Sequence, residues 1–514
     1  MGGAAAPVAA SAAAFARRFR DNEASRLKAG EPMASEPVFR PDPRVQRDTI
    51  QVLSAYDAEL SAGLERHRHE AHMKNPTTGW TRADQTLQWR VISDRAESFE
   101  ARVLAAHKAG PAVRLRVEGP LGAASAVQPA LPGSPNPWRR VALDGPLELV
   151  EGANTIVLSA APLADGPFEL EAFAVELVRS EARERLHEQA AAMRSDMAWL
   201  RQAGYGFMNH WTQAVYPERG PRLPYDQAVR NFDASRYADQ VARGGAGFVV
   251  LTTTHGPHFF PAPLAALDAV LPGRAARRDL VADLIDALGR HGIRLFLYYH
   301  LGAQADPEWL AASGFFDTDT SRLFGNWQRM IREAGERYGR GLAGWWFDDG
   351  AVNYYYRTAP WPELSRAAKA GNPDRLIGYN SWFQPPVTEF QDYHCGEIIE
   401  DPSCGGTLAA GGDGRYTHGT YQGMNAVSTI ITERYWDHSR PDEAISPARW
   451  SSQELAALIG EFRRHRCVPI FNLEIYQDGR MSEDTLERFA AARRRLGPSP
   501  WKLQEDGPSA QAGG

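Results

Sequence analysis

The sequence predicts an α/β protein, a (β/α)₈-type barrel preceded by an antiparallel β-sandwich. Three observations carry this reading. From Gly204 onward, short apolar runs alternate with amphipathic stretches of helical period, some eight strands in about 290 residues, the pattern of a closed parallel sheet wrapped by helices. Before that, between residues 85 and 178, the pattern is period two, broken by Gly/Pro turns, as in half-buried antiparallel strands. And 514 residues exceed one ordinary domain.

Residues 1–75 read as a disordered start followed by helical stretches, with helical spacing over 56–68. The sandwich is expected over 80–179, with alternating runs beginning at Phe99, Val113, Trp138, Asn154 and Phe168. Its pattern resembles carbohydrate-binding modules, and plain structural sandwiches share it. Residues 180–203 are charged, Ala-rich and free of proline, and read as a linker helix. The barrel is expected over 204–498, with strands at 206–209, 247–252, 293–299, 342–347, 376–379, 389–393, 426–431 and 468–472. Helices are expected at 236–244, 276–291, 320–338, 361–370, 451–464 and 482–496. The polar, Gly/Ala-rich tail, 499–514, reads as disordered.

Composition narrows the function. A formal charge of −6 without a basic, aromatic-laced patch argues against a nucleic-acid partner. No apolar run is long enough to span a membrane. Three cysteines, Cys395, Cys404 and Cys467, give neither a disulfide framework nor zinc spacing; a Cys395–Cys404 bridge is allowed without being required. At the Ala-rich N-terminus the positive charges follow the apolar part, unlike a signal peptide. The compartment stays open: periplasmic or secreted if a leader has been removed, cytoplasmic otherwise.

The chemistry gathers at the C-terminal ends of the predicted strands, where barrels carry their sites. The fourth strand runs Gly344-Trp345-Trp346-Phe347 into Asp348 and Asp349. Other ends offer His210 and Trp211, His255 and His258, Tyr299, Asn380, Glu397 and Trp436. There is no phosphate loop, no Gly-x-Ser-x-Gly elbow and no lysine placed for a Schiff base. Paired carboxylates among stacking and hydroxyl-binding side chains fit glycoside hydrolysis, with an oligosaccharide or glycoconjugate as the partner and no cofactor. Two other readings remain: a catalytically inactive carbohydrate-binding barrel, and a metal-dependent hydrolase using His210, His255, Asp348 and Asp349.

The order of motifs resembles glycoside hydrolase family 29, the retaining α-L-fucosidases. The opening "W…FG.F.HWG" is met by Trp199 and Tyr205-Gly206-Phe207-Met208-Asn209-His210-Trp211-Thr212. "GA.Y.VLT.KHHDGF" is met by Gly245 through His255, "G.YYS" by Leu297-Tyr298-Tyr299-His300, "W.D" by Trp346-Phe347-Asp348, and "LLN" by Ile470-Phe471-Asn472. The resemblance implies Asp348 as nucleophile and Glu397 as acid/base, with Glu400 second. It implies sugar contacts from His210, His255, Tyr299 and Trp346. The sugar-binding motifs are altered: the His-His-Asp-Gly-Phe core reads His255-Gly256-Pro257-His258-Phe259, and "YYS" ends in His300. The sugar expected is fucose or a close relative.

Overall fold

A computed structural model describes residues 42–66, 76–132, 137–255, 257–300, 306–315, 317–348, 358–381, 385–397, 414, 416 and 420–497. The expected disordered start and tail, Asp349 and Glu400 lie outside these residues.

Eight parallel strands close into a barrel: β1 Gly206–Asn209, β2 Phe248–Thr252, β3 Arg294–His300, β4 Leu342–Asp348, β5 Leu376–Asn380, β6 Tyr393–Glu397, β7 Asn425–Ile431 and β8 Val468–Asn472, with β8 pairing back to β1. Side chains alternate between inside and outside. Met208, Phe248, Val250, Phe296, Tyr298, Trp346, Tyr393 and Cys395 fill the interior. Large residues fit because glycines face them. A Cβ on Gly344 would sit 2.4 Å from the Phe296 ring, and one on Gly378 would sit 2.2 Å from the Tyr393 ring. The glycines in the fourth and fifth apolar runs are therefore packing devices of a closed barrel. The outer faces pack under amphipathic helices such as Ala234–Gly244, Ser321–Tyr338 and Ser452–Arg464. The last of these opens with a Ser451/Glu454 capping box, which satisfies its first free amides. No described helix is long and apolar enough to cross a membrane.

Ahead of the barrel stand two antiparallel sheets, one of seven strands and one of five, enclosing a separate core. The sandwich starts earlier than the alternation suggests. Gln51–Ser54 is a strand paired with Glu169–Arg179, and the helix expected over 56–68 is absent where the chain is described. A turn at Ala55–Asp57 and two short strands, Glu59–Leu60 and Glu65–Arg66, occupy it instead. Sheet pairing has overridden local helical spacing there.

Two further expectations are corrected. The linker is two helices, Ser180–Met193 and Ala198–Ala203. The break lets the Ser195 amide donate to Asp392 Oδ1 at 2.6 Å. The sixth strand lies at Tyr393–Glu397, four residues beyond the expected span of 389–393. Asp392 enters as an anchor below it, accepting from the Ile377 amide at 2.8 Å and pairing with Lys369 at 3.0 Å. The shift places Glu397 at the strand's C-terminal end.

The sandwich is fastened to the segment leading into β6. Arg140 pairs with Glu176 at 2.9 Å and donates to the Pro386 carbonyl and Tyr421 hydroxyl, both at 2.6 Å. The first linker helix holds the same segment, with Arg183 at 2.9 Å and His187 at 2.6 Å from Glu389. The thiol of Cys395 is free and buried, so the Cys395–Cys404 bridge does not form.

Candidate active site

Register builds the site. Tyr298 lies opposite Trp346, and His300 opposite Asp348. Both pairs face inward, one layer above the other. In the lower layer Tyr298 and Trp346 stack, with centroids 5.0 Å apart and planes 12° from parallel. The Trp346 indole N–H is buried and has no partner among the described residues. In the upper layer Asp348 is held from both sides. Asn380 Nδ2 donates to its Oδ1 at 2.7 Å, and the Tyr298 hydroxyl donates to its Oδ2. The same Asn380 nitrogen also donates to Glu397 Oε1. One amide of β5 thus bridges the carboxylates of β4 and β6. Two oxygens on one nitrogen stand within roughly two hydrogen-bond lengths, about 5–6 Å.

Three histidines close the rest of the mouth. His300 Nε2 stands 3.8 Å from Asp348 Oδ2. The rings of His255 and His300 lie 5.0 Å apart, and those of His210 and His255 5.5 Å apart. His210 is oriented by Asn472, 2.8 Å from its Nδ1, and flanked by the half-buried Trp436 at 5.1 Å. His255, His300 and Asp348 bring one ligand atom each within 4.8 Å of one another, the group among the described residues that could hold a metal ion.

The electrostatics follow from this packing. Burial raises the Asp348 carboxyl, but His300, the Asn380 and Tyr298 hydrogen bonds and His255 outweigh it and leave it below the ordinary carboxylate value. It is ionised at neutral pH. Burial, helped by the charge of His255, pulls His210 down to about 3. Burial lowers His300 also, against the pull of Asp348. These imidazoles are neutral and poised to exchange hydrogen bonds rather than to carry charge.

Of the expected site residues, Asp348, Glu397, Asn380, His210, His255, Trp346 and Trp436 gather at this mouth. Three do not. Trp211 points outward, donates to the Gln477 carbonyl at 3.0 Å and packs on Phe232. Tyr299 also faces outward; its hydroxyl is 3.0 Å from His258 Nε2. His258 stacks on Trp309 at 3.8 Å between strand and helix. Strand parity turns Tyr299 outward, since its neighbours Tyr298 and His300 face in; Trp211 and His258 lie in the loops that follow β1 and β2. Parity likewise identifies two residues outside the expected set, Tyr298 and His300, which share a face with Phe296 in β3. Asn472, at the end of β8, is the third.

The described residues form a closed parallel barrel with a bridged carboxylate pair and aromatic walls at its C-terminal mouth. Most of this barrel, residues 202–403, matches the family model for alpha-L-fucosidase. Among solved structures, it is similar to an alpha-L-fucosidase of glycoside hydrolase family 29 from Bacteroides thetaiotaomicron, at 16% identity over 58% of this chain and 73% of that one, TM-score 0.42. Alpha-L-fucosidase isoenzyme 1 from Paenibacillus thiaminolyticus gives 17% identity over 60% and 76%, TM-score 0.43. An endo-fucoidan hydrolase from glycoside hydrolase family 107 gives 14% identity over 58% and 54%, TM-score 0.44. No curated protein sequence matches the chain.

Proposed function

We propose that the protein is a retaining exo-glycosidase acting on α-L-fucosides or a closely related sugar. The observation that supports this most directly is the Asn380 bridge between Asp348 and Glu397. A shared donor caps the separation of the two nearest oxygens at about two hydrogen-bond lengths, which suits the roughly 5–5.5 Å spacing of retaining enzymes better than the 6.5–9.5 Å of inverting ones.

In this reading Asp348, ionised and aimed by Tyr298 and Asn380, attacks the anomeric carbon. The bond to the leaving oxygen breaks as Glu397 gives that oxygen a proton. The product is a glycosyl ester on Asp348. Glu397, now a carboxylate, takes a proton from water, and the resulting attack on the anomeric carbon releases the sugar and restores Asp348. Trp436 and Trp346 supply apolar walls, and the Trp346 N–H offers a donor to a sugar oxygen. His210 and His255, neighbours at the mouth, supply hydroxyl contacts. The sandwich grips the segment entering β6 and so helps fix Glu397.

The test is hydrolysis of a panel of aryl α-L- and β-D-glycosides, with the anomer of the first-formed product read by NMR. Release from the α-L-fucoside with retained configuration supports the whole reading. Release from another sugar moves the specificity to the altered stretch 255–258. An inverted product overturns the roles given to Asp348 and Glu397.

A further inference from the structure

We propose that His255, His300 and Asp348 form a binding site for one divalent cation of the zinc class, and that an ion there excludes the sugar. The first half stands on the geometry alone. The second rests on the role proposed for Asp348.

Three adjacent strands, β2, β3 and β4, send one donor each to the same corner of the mouth, and these donors lie within 4.8 Å of one another. The rings of His255 and His300 meet at 78°, so they approach from different directions as ligands of one ion must. Zinc bonds of about 2.0–2.1 Å imply ligand–ligand edges of roughly 3.3 Å in a tetrahedron. The His300 Nε2–Asp348 Oδ2 edge, at 3.8 Å, is already close to that. His255, the least buried of the three, closes the remainder by rotating its ring.

The surroundings suit an ion. The His300 amide donates to Thr254 Oγ1 at 2.7 Å, tying the ends of β2 and β3 together. Asn380 holds the other oxygen of Asp348, an outer-shell contact of the kind that orients metal-ligating carboxylates. Burial keeps His300 in its neutral, ligating form. Two imidazoles and one carboxylate select Zn²⁺, Co²⁺ or Ni²⁺ over Mg²⁺ and Ca²⁺, which favour oxygen. Three protein ligands leave a position for water. An ion on Oδ2 occupies the carboxylate that would attack the sugar, so ion and substrate compete.

The experiment is calorimetric titration of ZnCl₂ into chelator-stripped protein, beside His300→Ala, His255→Ala and a surface control, His291→Ala. We expect about one equivalent bound, affinity at least tenfold weaker in each site variant and unchanged in the control, and no heat from MgCl₂. Unfolding of the ion-free variants checks that each is folded. If His300→Ala is not, His255→Ala and the visible spectrum of bound Co²⁺ carry the test. Absence of zinc binding, or full affinity in the site variants, overturns the site. With an aryl glycoside, zinc should raise KM, leave kcat unchanged and be reversed by chelator. An increase in kcat overturns the exclusion. If no glycoside is cleaved, the proposed function fails while calorimetry still decides the site.

Discussion

Tyr298 and Tyr299 are adjacent in the chain and belong to two different regions. Tyr298 faces the barrel interior, stacks on Trp346 and donates to Asp348. Tyr299 faces the helices and meets His258, which lies flat on Trp309. Both regions are buried, aromatic and contain histidine. The inner one is organised around a single ionised carboxylate. The outer one also holds a buried carboxylate, Asp306, but Arg274 pairs with it at 3.3 Å and the His258 and Trp309 amides donate to it at 2.7 and 3.1 Å, so it is fully engaged in holding the structure. Neither composition nor a buried carboxylate separates a site from a core here; what separates them is whether that carboxylate is closed off by a cation and a helix-capping amide, as Asp306 is, or faces the barrel mouth, as Asp348 does.

The widest separation between the regions comes from removing that group. Asp348→Ala should lower kcat by at least about a thousandfold, as expected for loss of a covalent nucleophile. Far-ultraviolet circular dichroism should stay at the parent's value. Activity near that of the parent would remove Asp348 from the mechanism. The opposite signature belongs to the outer region. Trp309→Ala should cost about 3–5 kcal/mol of stability, the range for truncating a buried tryptophan. Below the lowered unfolding transition, kcat should match the parent's. A drop in kcat with stability intact would mean that the outer layer takes part in the chemistry.

Acidification should destabilise both regions, because each buries a histidine in its neutral form. In the unfolded chain a histidine titrates near 6.5, whereas His210 in the fold titrates near 3. Between those values the unfolded state holds a proton that the native state does not, so stability falls as pH falls. The slope is about 1.4 kcal/mol per pH unit for each such histidine. His300 and His258, both lowered, act in the same direction. Asp348, depressed below its ordinary value, adds a further loss as pH drops from that ordinary value through its lower folded one. Denaturant titrations at pH 7, 6 and 5 should show the loss, and His210→Asn should reduce the slope by about one proton. An unchanged slope would mean that His210 is protonated in the fold.

Much of this arrangement is legible in the amino-acid order. Seven of the eight barrel strands lie within a residue or so of their apolar runs, because parallel strands buried on both faces are continuously hydrophobic. The sixth is not, because Tyr393-His394-Cys395-Gly396-Glu397 carries site residues where a core strand would carry valines. Asp348 and Asn380 are legible as polar residues that end apolar runs. The Asn380 bridge is not, since it depends on the register between β4, β5 and β6. Trp211, Tyr299 and His258 illustrate the remaining difficulty. Their types suit a sugar site, but Tyr299 is turned outward by a parity that appears only once the inward face of β3 is known, and Trp211 and His258 by the paths of the loops after β1 and β2. Within β3 the parity could be read from Phe296, which leads to Tyr298 and His300 by steps of two.

The two tyrosines provide the finest test of the comparison, because each loses a single oxygen. Tyr298→Phe removes a hydrogen bond to the ionised form of Asp348, one of the forces that holds its carboxyl below the ordinary value. Hydrogen bonds to charged groups contribute about 1.5–3 kcal/mol, so kcat/KM should fall by roughly tenfold to a hundredfold. The acid limb of the pH profile should move upward, because the carboxylate is then protonated more readily. Tyr299→Phe removes the neutral contact with His258, at a cost of about 1 kcal/mol in stability, and should leave that limb in place. The measurement is kcat/KM against pH for the parent and both variants. The shift should appear in the inner variant alone, because only Tyr298 touches the group whose ionisation the limb reports. Equal shifts would show that the barrel transmits the outer contact to Asp348, and the two faces would then form one site.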